Sequence, residues 1–391
     1  MGSWNERDTL IIDIARSPIG RANKGSLIDV RPDDLAAQVV AALMARNPEV
    51  PADSVDDLIC GASGGAGEQA FNIGRAVGLL AGLPDTVPAV TVNRFCASSL
   101  QAARMAHHAI GAGEGDVFVV AGVESSTRRG VPGTEEHHNP RFTDATRDDY
   151  VAELYISMGE TAERIAERYG VTREDQDAFA ERSHGLALAA RDCGATAKEI
   201  VGIELPDGSV AEVDDGPRRD TSLEKLARLR PVFRPDGTVT AGNACPLNDG
   251  AASMIVTSGA RATALGLSPI AKVRSTAVSG LEPELMGLGP IEASRRALAA
   301  AGMKPGDLDA VEINEAFSAQ VLPSVEQIGL DLDAQVNLHG GAIALGHPFG
   351  MTGVRLLSTL LNVLAVRGGG TGMVTLCIGG GQGMAMVLER V

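Results

Sequence analysis

The stretch AVTVNRFCASSLQAARMAHHAIGAGEGDVFVVAG, residues 89–122, decides the fold. Ala89–Asn93 and Asp116–Gly122 read as strands, and Ser98–Ile110 between them carries apolar residues at helical spacing. Strand, helix, strand in that order signals a parallel sheet with crossover helices, an α/β fold. Upstream, Val55–Gly61 reads as another strand and Asn72–Leu80 as another helix. The same succession returns near the carboxyl end as Leu308–Asn314, Ser318–Ile328, Ala334–Leu338, Val354–Ala365 and Gly372–Cys377. Val92-Asn93 is answered by Val336-Asn337, and DVFVVAGVES by GMVTLCIGGG. Each unit is roughly 100 residues or more, too long for a solenoid repeat, so the chain reads as two pseudo-symmetric halves. From Glu124 to about Leu247 the pattern breaks into a polar stretch (residues 127–150), two charged helical runs around Thr161–Tyr169 and Glu174–Asp192, and a Pro-rich segment near Arg230–Pro235. This insertion reads as a solvated lobe, the kind of segment that often forms a functional lid.

At roughly 150 residues per domain, 391 residues mean two or three domains or one large architecture with an insertion. Aromatics make up only 3% against 44% hydrophobic residues, so the core must be built from closely packed Ala, Val, Leu and Ile. The formal charge of 34 − 50 = −16 excludes nucleic acid as a partner. An anionic ligand would need a local basic patch or backbone N–H groups. The amino-terminal MGSWNERDTLIIDIARSPIG is neither a signal peptide nor a spanning helix, and no later segment reaches the ~18 apolar residues of one, so no membrane insertion is expected. The five Cys (60, 96, 193, 245 and 377) lack CxxC spacing and are judged singly, as thiols of a cytoplasmic protein.

Four motifs carry chemistry. In VNRFCASSLQAA, Cys96 stands where a strand ends and a helix begins, a position whose dipole and free N–H groups favour thiolate; a small buried hydrophobe is the competing reading. In GGAIALGHPFGMTG, His347 lies among small residues that leave room for a substrate, against the alternative of a surface-loop histidine. In CIGGGQGMA, Cys377 ends a strand and Gly379, Gly380 and Gly381 expose N–H groups able to converge on an oxyanion. In NEAFSAQ, Asn314 ends a strand, where its amide either holds a water or polarises a carbonyl, or makes a turn. The His107-His108 and His137-His138 pairs point to different sides and do not suggest a metal site, and Cys60 and Cys193 read as structural. GASGG (Gly61–Gly65) fits a nucleophile elbow, which makes a serine hydrolase using Ser63 and His347 a rival.

Together, and in the chain order Cys96, Asn314, His347, Cys377, the four motifs resemble the thiolases, the acetyl-CoA acyltransferase family. MGETAERIA (158–166), TAGNACPLNDGAA (240–252) and GLGPIEASRRAL (287–298) extend the resemblance over essentially the whole chain. Related condensing enzymes carry a second His where this chain has Cys377. The resemblance implies a five-layered αβαβα fold: an N-terminal half (1–125, continued by 248–270), a loop domain over the coenzyme A site (126–247) and a C-terminal half (271–391). It further implies that Cys96 is the nucleophile and His347 its base, while Cys377 exchanges the proton on carbon. Asn314 would hold a water that binds the thioester oxygen together with His347, and the N–H groups of Cys96 and Gly379 would form a second oxyanion hole. Arg218 falls near the adenosine end of coenzyme A and Cys245 along pantetheine, Met158, Met286 and Phe349 line the acyl pocket, and Phe317 is a further substrate- or coenzyme A-binding residue. Coenzyme A and acyl-CoA are then substrates with no permanently bound cofactor, and a homodimer or homotetramer is expected. Three departures from the short-chain biosynthetic pattern, CASS for CGSG, Cys245-Pro246 for Ser and often Gly, and Ser157 for His, look more like actinobacterial enzymes of fatty-acid or sterol breakdown. They favour a degradative 3-ketoacyl-CoA thiolase over an acetoacetyl-CoA thiolase condensing two acetyl-CoA. A non-catalytic coenzyme A or lipid carrier is the remote alternative.

Overall fold

The computed structural model describes residues 4–130 and 137–391, so part of the polar stretch at 127–150 lies outside the described residues. The first half runs β1 (Thr9–Arg16), β2 (Gly20–Arg21), α1 (Pro32–Arg46), β3 (Asp57–Gly61), α2 (Ile73–Leu80), β4 (Ala89–Val92), α3 (Ser98–Ala112) and β5 (Val117–Ser125). The insertion contributes α4 (Met158–Tyr169), α5 (Arg173–Asp192), β6 (Ile203–Glu204), β7 (Val210–Ala211) and α6 (Leu223–Ala227), after which β8 (Asn248–Ser258) and α7 (Gly259–Leu265) complete the half. The second half runs β9 (Ala271–Gly280), α8 (Gly289–Ala301), β10 (Ala310–Ile313), α9 (Ser318–Ile328), α10 (Ala342–Leu345), α11 (Thr352–Val366), β11 (Gly370–Ile378) and β12 (Gln382–Arg390). The order β1-α1-β3-α2-β4-α3-β5-β8 thus returns as β9-α8-β10-α9, a bridge at Val336, then α11-β11-β12.

The halves meet edge to edge in one ten-stranded sheet, β4-β3-β5-β8-β1, with the short β2 also paired to β8, joined through β1 and β9 to β12-β11-β10, the seam being only Leu10↔Lys272 and Ile11↔Ala271. The reading of a parallel sheet holds for β4-β3-β5 and β10-β11 and is corrected outside them. β8 runs antiparallel because it re-enters from the insertion without a crossover helix, and β12 because it turns straight back from β11 through Gly380 and Gly381, both at positive φ. Ala334–Leu338 is likewise corrected from a strand to a single bridge between Val311 and Val336. Asn337 takes φ +48°, which ends extension, and its side chain bonds the N–H and C=O of Ile313 in place of a backbone partner.

Three apolar clusters define the layers. α3 and α11 lie together between the two sheet halves: Leu100, Ala103 and Ile110 with Leu357, Leu360 and Leu364 contact Val120 and Met254 on one side and Leu376 and Met386 on the other. A Cβ at Gly353 would overlap the backbone nitrogen of Leu100, so glycine permits this approach of the two helices. α1 and α2 cover the outer face of the first half, and α8 and α9 that of the second, completing αβαβα.

The insertion is docked where a solvated lobe was expected. α4 buries Ala162, Ile165 and Ala166, and α5 buries Phe179 and Ala180, with Ile165, Phe179 and Ala180 set against the outer cluster of the second half. A fully buried Arg16 at the end of β1 anchors the rest: Asp214 accepts from both Nη atoms at 2.8 and 2.9 Å, and Glu199 from Nε at 2.9 Å. Glu199 also accepts from Thr359 and Asn362 of α11. Arg16→Met leaves two buried carboxylates without their cation and should lower the unfolding free energy by about 3–5 kcal/mol. An unchanged urea midpoint would show that the insertion is held by its apolar faces alone.

Candidate active site

The segments that follow β4, β10 and β11 meet one another: the Gly379 N–H beyond β11 reaches the Cys96 thiol beyond β4, and Asn314 beyond β10 faces His347. Beyond β4, Cys96 occupies a single 3₁₀ turn, Phe95–Ala97, that leads into α3. Phe95 is held at φ +46°, a strained conformation costing about 1–3 kcal/mol. Neighbouring side chains hold it there: Asn93 Oδ1 accepts the Phe95 N–H at 2.8 Å, and Ser98 Oγ donates to the Phe95 carbonyl at 2.6 Å. The strain turns Cys96 back toward the end of β11, where the N–H groups of Gly379 and of Cys96 itself reach the thiol.

Helix polarity does not give a resting thiolate here, contrary to the local reading. Burial pushes the Cys96 thiol up to about 12 and the charge of Glu124 adds to the effect; the two N–H groups only oppose it in part. Cys377, buried near the end of β11, is also pushed up by burial and by the proximity of Cys96 and Cys245. Three thiols therefore face one another, all protonated at rest.

His347 is buried, so it is no surface-loop histidine. Its N–H donates to Asn248 Oδ1 at 3.0 Å. Thr352 Oγ1 gives its proton to the Pro348 carbonyl at 2.8 Å and so accepts from His347 Nδ1 at 2.6 Å. That leaves Nε2 with a free lone pair, toward which Asn314 Nδ2 points at 3.3 Å. Burial, with Arg355 adding repulsion, holds the imidazole down to about 3, hence neutral. Asn314 is fully buried past the end of β10: its N–H donates to the Thr375 carbonyl, and its own carbonyl accepts from Gln320 Nε2.

Beneath these groups Met286 and Phe317 pack with Cys377, and Met158 and Cys245 lie against them. The Met158 sulfur and the Phe95 ring flank Gly379, while Leu154 lies over Gly380. Phe349 stands apart from this group: its ring meets His347 edge-on at 4.9 Å and carries Arg129 on its face. Arg218 is exposed at the mouth of a narrow cleft lined by Arg21, His184, Pro246, Leu229 and Ala344, and its N–H donates to His184 Nδ1 at 3.2 Å. Ser63 gives its N–H to Glu124, and among the described residues no hydrogen bond joins it to His347, which removes the support for a serine nucleophile.

Thr352, Glu124 and Arg355 were missed by motif reading. Thr352 lies inside the quoted GHPFGMTG, but its i, i+5 relation to His347 becomes a hydrogen bond only once Pro348 starts the turn into α11. Among the described residues no cluster of three His, Cys, Asp or Glu could hold a metal, and no helix is long and apolar enough to cross a membrane.

Comparison with known proteins agrees with this geometry. Residues 9–260 match the thiolase N-terminal domain and 267–390 the thiolase C-terminal domain. The chain is 49% identical over 394 residues to a 3-ketoacyl-CoA thiolase of Marinomonas sp. (strain MWYL1), covering 99% of both proteins. It superposes on the dimeric peroxisomal thiolase of Saccharomyces cerevisiae with a TM-score of 0.92 at 34% identity, covering 100% of this chain and 99% of that one. With human mitochondrial 3-ketoacyl-CoA thiolase in complex with CoA the TM-score is 0.89 at 35% identity, covering 98% of each chain. The chain belongs to the thiolase family.

Proposed function

We propose that the protein is a degradative 3-ketoacyl-CoA thiolase, an acyltransferase for which coenzyme A is a substrate. The observation that carries this is the meeting of a protonated Cys96, a neutral His347 whose Nε2 carries no proton, and a second protonated thiol, Cys377, at one strand-end cluster. The name borne by relatives that match over their whole length supports it.

His347 Nε2 takes the Cys96 proton, and the thiolate attacks the 3-keto carbon, whose oxygen is received by the N–H groups of Cys96 and Gly379. The bond between C2 and C3 breaks. Electrons move onto the thioester oxygen of the leaving acetyl-CoA enolate, which faces His347 Nε2–H and the Asn314 amide. Cys377 then gives its proton to C2, acetyl-CoA departs, and the shortened acyl group remains on Cys96 as a thioester. The Cys377 thiolate next takes the proton of an incoming coenzyme A thiol. That sulfur attacks the Cys96 thioester, and His347 returns a proton to Cys96 as acyl-CoA leaves.

The sequence of proton transfers therefore needs no strongly basic group at rest. Each thiolate arises only as its proton is handed on, inside a site dry enough to make it reactive. Arg218 and Arg21 stand where the phosphates and adenosine of coenzyme A can be met by local positive charge despite the acidic surface, and Cys245-Pro246 lies along the path to Cys96. Met158, Met286 and Phe317 form the acyl wall; Phe349 is assigned to orienting His347. With all five cysteines free and two of them required as thiols, we assign the reaction to the reducing cytoplasm.

We also propose a homodimer through β4. All four residues of this terminal strand are half-exposed, and beside it Phe71, Leu79, Leu80 and Phe95 project into solvent. An open, apolar edge of this kind is covered in stable proteins.

Cys96→Ala should abolish all acyl transfer, whereas Cys377→Ala should still take an acetyl group from acetyl-CoA onto Cys96, seen by mass spectrometry, and fail to cleave 3-ketoacyl-CoA. Full thiolysis by the first variant, or no acylation of the second, contradicts the division of roles. Since each buried methylene contributes about 0.8 kcal/mol, six- to eight-carbon substrates should exceed acetoacetyl-CoA in kcat/KM by roughly ten- to several hundred-fold. Preference for acetoacetyl-CoA across a four- to twelve-carbon series would favour the short-chain alternative. Phe71→Asp combined with Leu80→Asp should shift the dimer toward monomer in sedimentation velocity; an unchanged species would locate the interface elsewhere.

A further inference from the structure

Between Thr352 and Val366, α11 carries a single charged residue, Arg355, and the helix lies in the middle layer with apolar neighbours from both sheet halves. Arg355 is 1% exposed. A cation placed there costs several kcal/mol unless its partners are good, and these are poor. Glu312 Oε2 is 3.4 Å from Nη1, and Nε has no partner among the described residues. Burial also pushes the Glu312 carboxyl well up, toward its neutral form, which weakens the pair further. What remains is Nη2, which donates to Asn314 Oδ1 at 3.4 Å, while the other end of that amide faces His347 Nε2 at 3.3 Å.

We propose that Arg355 is a positioning residue for the carbon–carbon cleavage: it holds the Asn314 amide by its oxygen so that Nδ2 points at the His347 side of the site, and it sets positive potential behind the oxygen that becomes the enolate. The inference rests on the roles given above to Asn314 and His347. An amide whose oxygen accepts from a cation is a stronger donor at its nitrogen, and a fixed charge in a dry interior acts without reorganisation when the enolate forms. The same charge disfavours protonation of His347. The charged groups that face Arg355 are Glu312 on β10, Glu315 just beyond it, Glu199 from the insertion and Arg16 on β1; Arg182 on α5 acts on Glu312. Removing Arg355 removes that repulsion, so the His347 pKa should rise.

The test uses the full-length enzyme and thiolysis of a 3-ketoacyl-CoA over a pH series. Arg355→Met should lower kcat about 10- to 100-fold with KM changed less than about twofold, and should move the acid limb of kcat/KM to higher pH. Arg355→Lys, which keeps the charge but not the planar fork, should leave that limb near its original place while losing part of kcat. Combined with Asn314→Ala, the losses should be less than additive, because one residue acts through the other. An unmoved acid limb, an unchanged kcat or fully additive losses in a folded variant would overturn the proposal. Should Arg355→Met fail to melt cooperatively, Glu312→Gln decides with Arg355→Lys: it keeps the cation and removes a carboxyl, so an acid limb that rises would refute the inference. Failure of the wild-type enzyme to acylate Cys96 would instead refute the proposed function, whatever the Arg355 variants do.

Discussion

The carboxylate of Glu124 is the constraint on which the site depends. It is fully buried near the end of β5 and accepts, at 3.0 Å each, the N–H groups of Ser63, Gly64 and Gly350, with the Gln69 amide at 2.9 Å. Ser63 and Gly64 belong to the loop after β3, in the first half; Gly350 belongs to the turn after His347, in the second. One anion thus fastens the catalytic loops of both halves together, and N–H donors replace its hydration. The Ser63 carbonyl in turn accepts from Asn93, whose Oδ1 keeps Phe95 in its strained conformation, so the grip on Ser63 reaches the Cys96 turn. The second half has a counterpart in Glu315, which accepts from Ser183, Asn337 and the Ile343 N–H and so secures the approach to α10.

Burial explains both the stability of the resting site and its reactivity. A dry pocket raises all three thiols and lowers His347, so the free enzyme carries little charge where substrate will bind. The cost of ionising Cys96 is then met only when a substrate oxygen can accept the developing charge at the N–H groups. Such a site spends nothing on holding a thiolate in the absence of substrate, and a free thiol is less open to oxidation than a thiolate.

The insertion is part of this arrangement through its apolar faces and the Arg16–Asp214–Glu199 network. α4 brings Met158 to Gly379, and α5 brings Ser183 to Glu315 and His184 to Arg218. The same segment that was charged enough to read as solvated therefore packs beside Gly379 through Met158 and lines the cleft at Arg218 through His184. Ala162, Ile165, Ala166, Phe179 and Ala180 face inward together with the hydrogen-bonded Ser183, Glu199 and Asp214, a division that composition averages away.

The duplicated α/β order and the strand-end positions of Cys96, Asn314 and Cys377 were legible in the chain, because apolar periodicity and strand-to-helix junctions are local properties. The strands β1, β8, β9 and β12 were not read: each is defined by partners far along the chain, and β8 and β12 run against the order that crossover helices impose. Ala334–Leu338 looked like a strand until Asn337, bonded to Ile313, ended it. Motif order identified His347, but only packing determined its tautomer, through Thr352, and its neutrality, through burial. The protonation of Cys96 likewise lay beyond local reading, since a helix terminus favours thiolate while the protein packed around it opposes it more strongly. Phe349 was expected beside Met158 and Met286, whereas its ring meets His347 edge-on. Residue types and their order are carried by the chain itself; which side of a loop a ring faces, and how much water reaches a thiol, are set by contacts between segments hundreds of residues apart.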